Sequence, residues 1–177
     1  HILNFGFDGL NHTKQFLLNN NVSFFGNTGS EDTIHLEEIR GKKLAFINYN
    51  QFVVNGLEKT VDNIKQLRSD NDFVFVYAHW GNEYSNISSK EQRELAHKFI
   101  DLGADAVIGS HPHVIQESEI YKDKKIYYSL GNMFFDQYFS EDTQRGLLLE
   151  VIINDDEISY YEHEVSLLSN GQTELNN

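Results

Sequence analysis

Apolar residues along this chain fall into two kinds of run. Continuous runs at residues 44–49, 73–78 and 104–108 predict strands buried on both faces. Between them lie segments with helical spacing. Residues 57–69 place Val61, Ile64 and Leu67 on one side, and residues 90–102 do the same with Leu95, Ala96, Phe99 and Ile100. The second of these opens on Ser89 with Gln92 three residues on, as a capping box requires, and stops at Gly103. A first helix is expected from Phe7 or Asp8 to Asn19, with Leu10, Phe16 and Leu17 as its stripe, followed by a short strand at 22–26. Hairpins are expected at 34–39 with 44–49, at 114–121 with 125–129, and at 146–153 with 157–165. A long loop at 130–144 and a polar tail at 168–177, expected to be mobile, complete the pattern. Strand–helix alternation in the middle and hairpins at the end predict one α/β domain with added antiparallel strands.

Composition narrows the function. Fourteen basic residues against 27 acidic give a formal net charge of −13. Such a surface repels phosphate backbones and anionic headgroups, which argues against nucleic-acid binding. Divalent cations suit it. The absence of cysteine excludes zinc–thiolate sites and cysteine nucleophiles. No run of about 18 apolar residues occurs, so the chain itself is expected to be soluble. No glycine-rich phosphate loop, His-Glu-X-X-His or Gly-X-Ser-X-Gly motif is found.

The chemistry concentrates at two strand ends. One is Tyr77-Ala78-His79; the other is Gly109-Ser110-His111-Pro112-His113, around the single proline of the sequence. Ligands of open α/β sheets bind beyond the carboxyl ends of strands. If these strands are parallel neighbours joined by the 90–102 helix, three imidazoles converge into a metal site. Pro112 should bias Ser110-His111 towards extended backbone. Solvated loop histidines are the plainer alternative. Glu83, Asp136 and Glu117 are candidate carboxylates by position alone. Trp80, Tyr84 and the pair Phe134-Phe135 could line a substrate pocket or simply pack. Asn132 and Asp136 could touch substrate or support a ligand, or Asn132 could be an ordinary turn residue. His12, His35, His97 and His163 show no clustering and read as surface or structural.

Three stretches resemble a known family. His79-Trp80-Gly81-Asn82-Glu83-Tyr84, the run from Leu102 to Val114 through His111-Pro112-His113, and Tyr128-Ser129-Leu130-Gly131-Asn132 with Phe135-Asp136-Gln137 are similar to motifs of the CapA family, the poly-γ-glutamate capsule biosynthesis proteins. The start, His1-Ile2-Leu3-Asn4-Phe5-Gly6, is similar to the end of that family's Asn-Asn-His motif and the residues just after it, with Asn4 where aspartate is common. The resemblance implies a metallo-dependent phosphatase-like sandwich of two mixed β-sheets flanked by helices (α/β/β/α), N-terminally truncated, with residues 1–177 as the C-terminal portion of one domain. It implies divalent metal ions (manganese, iron or zinc) on His79, His111 and His113, with His1 as the catalytic acid or base. It further implies capsule synthesis at the cell surface or on a membrane anchor. The partners would be poly-γ-glutamate or a related anionic polymer or precursor, and membrane synthase subunits. A metal-dependent hydrolase or transferase and a non-catalytic polymer-binding or export subunit both fit this resemblance, since fold does not fix function.

Overall fold

Period-two burial explains how the central strand sits. In the computed structural model, which describes residues 2–26, 33–155 and 157–176, β3 (Phe73–His79) is buried on both faces. Its even positions, Val74, Val76 and Ala78, pack with Ala45, Ile47, Val107 and Ile126 against two helices. These are α2 (Gly56–Leu67), through Ile64, and α3 (Lys90–Asp101), through Leu95, Ala96, Phe99 and Ile100. Its odd positions, Phe73 and Phe75, join Leu44, Phe46 and Ala106 and meet Ile153, Ile158 and Tyr160 of a second sheet. The continuous apolar run is therefore the signature of a strand between two layers.

The larger sheet is mixed. Its strand order is β1 (Ile34–Ile39), β2 (Lys42–Asn50), β3, β4 (Ala106–Ser110), β6 (Lys124–Tyr127), β5 (Ser118–Tyr121). The four inner strands are parallel and both edges antiparallel. The smaller sheet, β7 (Arg145–Asn154), β8 (Glu157–Leu167) and β9 (Thr173–Leu175), is antiparallel throughout, where two mixed sheets were expected. The polar tail supplies β9.

Local signals hold where they were strong. Ser89 and Gln92 form the full capping box, and Gly103, at φ 112°, ends α3. The 122–123 turn has both residues at positive φ, as a two-residue hairpin turn demands. Residues 22–26 form no strand, and among the described residues none pairs with them. The first helix, α1 (Gly6–Asn19), buries only Leu10; Phe16 is largely exposed, so the expected stripe is not a buried face. His35, His97 and His163 lie on the surface beside Glu37, Glu119 and Glu150.

Candidate metal centre

Strand register builds this site. In the three parallel strands, Asn50 of β2, His79 of β3 and Ser110 of β4 are direct neighbours, so three chain segments leave the sheet side by side at its carboxyl edge. The ring centroids of His79 and His111 lie 4.5 Å apart, and those of His111 and His113 lie 5.9 Å apart. Glu83 comes from the loop after β3, with Oε1 4.0 Å from His113 Nε2. One ligand atom each from Glu83, His111 and His113 lie within 4.8 Å of one another. Of the carboxylates considered, the structure brings in Glu83. Asp136 is exposed and stands outside this group. Glu117 instead accepts hydrogen bonds from the Ser88 N–H and hydroxyl ahead of α3.

The backbone departs from the expected extended geometry. His111 has φ 96° and His113 φ 61°, on either side of Pro112. Non-glycine residues held there cost on the order of 1–3 kcal/mol each and persist only where surroundings impose them. Here the Tyr84 N–H, itself on a residue at φ 64°, donates to the Pro112 carbonyl at 2.7 Å, and the Leu130 N–H donates to the Gly109 carbonyl at 3.1 Å. These long-range contacts override the local bias that proline places on its predecessor.

Asn132 decides which nitrogen of His113 carries the proton. Its amide Nδ2 donates to the Thr143 carbonyl at 2.9 Å in a buried setting. That fixes the amide, so Oδ1, 2.9 Å from His113 Nδ1, accepts from Nδ1–H. The network thereby assigns the lone pair to Nε2, the atom facing Glu83. A partner of this kind orients metal-ligating histidines.

The His79 and His111 rings are held neutral. Burial pushes the His79 ring down to about 4, aided by neighbouring His111 and His113. Burial also lowers His111, and His113 adds to this, while Glu83 pulls the other way. Neutral imidazoles beside a carboxylate are the donor set that borderline divalent ions require, so the residues fit the implied metal. The same shift predicts acid sensitivity of the metal-free protein. Between the ordinary histidine value of 6.5 and about 4, unfolded chains take up a proton that folded ones refuse at His79. Stability should therefore fall with pH through that window and level off below it. Urea titrations at intervals from pH 7 to 4 test this, and His79→Gln should flatten the slope.

Other expected residues lie around this cluster. Trp80 is wholly buried beneath it, with Nε1 donating to the Tyr128 carbonyl at 2.9 Å, and so supports the site without reaching a ligand. The Tyr84 ring stacks near His113 at 6.2 Å, and its hydroxyl accepts from Gln137 Nε2. Phe135 lies 4.7 Å from His113. Sequence reasoning passed over Phe52, whose ring is 4.8 Å from His111 and 5.8 Å from His79. The available signal was its place just beyond the end of β2, beside two histidine-bearing strand ends. His1 lies outside the described residues.

The family model described as "Bacterial capsule synthesis protein PGA_cap" matches residues 1–137. The chain belongs to the PGA_cap family. Its relatives include the PGA biosynthesis protein CapA of Bacillus subtilis (strain 168), 28% identical over 166 residues, covering 84% of this chain and 44% of the relative. The capsule biosynthesis protein CapA of Bacillus anthracis is 30% identical over 173 residues, covering 75% of this chain and 42% of the relative. The chain thus spans less than half the length of these curated relatives. Among solved structures, a hypothetical protein from Thermus thermophilus superposes with TM-score 0.56 at 16% identity, covering 79% of this chain and 65% of that one. A protein described as a candidate 5′-nucleotidase from Staphylococcus aureus, in complex with alpha-ketoglutarate, gives 0.50 at 11% identity, covering 86% and 29%. The fold of this PGA_cap chain is metallophosphoesterase-like. Among the described residues no helix is long and apolar enough to cross a membrane.

Proposed function

We propose that this chain carries the metal centre of a poly-γ-glutamate capsule synthesis protein and that the centre acts on a phosphoryl or acyl-phosphate group. The observation carrying this reading is the Thr143–Asn132–His113 relay, which aims a lone pair from His113 Nε2 towards Glu83 beside His111. A buried amide spent on fixing one tautomer serves ligation better than it serves packing. In this reading His79, His111 and His113 hold the ion and Glu83 completes the set. A divalent ion bound there would supply Lewis-acid polarisation of a phosphoryl oxygen. His113 is oriented by Asn132, His79 and His111 stay unprotonated at neutral pH, and the role of proton donor falls to His1 by resemblance. The relatives' names support a place in capsule synthesis, and with it a cell-surface location and contacts with polymer-synthesising subunits.

The test is metal binding by the full-length protein. Stoichiometric manganese, iron or zinc is expected by elemental analysis after purification. His113→Ala should abolish it, and Asn132→Ala should weaken metal affinity about 10–100-fold, as loss of an outer-shell partner does. Full-length protein that binds no divalent ion, or binds it equally well after His113→Ala, would sink the reading. Tight binding without turnover of any phosphoester would favour the polymer-handling alternative.

A further inference from the structure

The imidazole cluster is bordered by aromatic rings that the core does not use. Phe52 meets His79 and His111 edge-on. Phe135 and Tyr84 flank His113. Phe52, Phe135 and Tyr84 are 58%, 40% and 44% exposed, so each keeps part of its surface open to solvent beside the imidazoles. A polyanion placed here would approach a chain of net charge −13. An apolar group next to a metal-bound phosphoryl would instead cover aromatic surface.

We infer that Phe52, Tyr84 and Phe135 are specificity-determining residues, and that the site selects a phosphoryl compound bearing an apolar substituent over the polyglutamate chain itself. This rests on the metal-centre reading, because the metal would hold the phosphoryl end. Ring-to-ring contact with such a substituent should be worth about tenfold in affinity. Of the three, Phe52 and Phe135 make no hydrogen bond through their rings and are open enough to truncate without a cavity in the core.

Calorimetric titration of the metal-loaded full-length protein with phenylphosphonate and with methylphosphonate tests this without turnover. Phenylphosphonate should bind about tenfold tighter. In the double variant Phe52→Ala, Phe135→Ala the preference should shrink to below about threefold, while methylphosphonate affinity and metal stoichiometry hold. Metal bound with equal affinities for the two probes overturns the inference alone, as does a γ-glutamyl oligomer that displaces phenylphosphonate. Absence of bound metal overturns the metal-centre reading and this inference together.

Discussion

Replacing Asp105 with alanine is expected to lower unfolding free energy by about 3–5 kcal/mol, the cost of removing one partner of a buried charge network. Its carboxylate ties its own segment to three others. Oδ2 accepts from the Val74 N–H at 2.8 Å and from Arg68 Nη1 at 2.5 Å, while Oδ1 accepts from Lys124 Nζ at 2.7 Å. Arg68 also donates to the carbonyls of Gly103, Asn71 and Asp72. Without the carboxylate, the Val74 N–H is left buried without an acceptor and the half-buried guanidinium loses its counter-charge. The measurement is the urea midpoint at constant slope. Lys124→Ala should cost far less, because that side chain is 40% exposed and its pairing is screened. Equal losses for the two variants would contradict this ranking.

Gly109→Ala should be a strongly damaging single-methyl change near the site. An added Cβ would strike the Tyr128 backbone and stand 2.6 Å from Trp80 Nε1. Neither is the free end of a flexible side chain. β4 and the 128–130 segment would have to separate, breaking the Leu130 N–H to Gly109 carbonyl bond. Overpacking of this kind costs about 1–3 kcal/mol, and the distortion falls two residues before His111. Metal affinity should therefore drop together with thermal stability. An unchanged melting temperature and metal affinity in Gly109→Ala would refute the packing account.

The sequence carried the parts of this fold that depend on neighbours along the chain. The capping box at Ser89, the stop at Gly103, the doubly buried β3 and the convergence of His79 with His111 and His113 all follow from short-range pattern and strand topology. What it could not carry depends on partners far away. Pro112 argued for extended backbone at His111, and a hydrogen bond from Tyr84 reversed the result. Asn132 read equally as a turn residue until Thr143 fixed its amide. Asp105 lay inside a recognised stretch, yet its three partners come from residues 68, 74 and 124. Phe16 had helical spacing, but spacing alone does not supply a surface to pack against.

The Asn132 relay gives the centre an unusual weak point. The bias of the His113 lone pair towards Nε2 persists only while residues 132–143 stay folded, since that short stretch supplies both Asn132 and the Thr143 carbonyl that fixes its amide. A local opening there would free the amide to rotate, and the imidazole would lose its proton bias while every strand remained paired. Local openings of loops occur at free energies well below global unfolding. The working life of the site under mild denaturant is therefore set by one loop's own opening equilibrium, and the stability of the sheets beneath it gives only an upper bound.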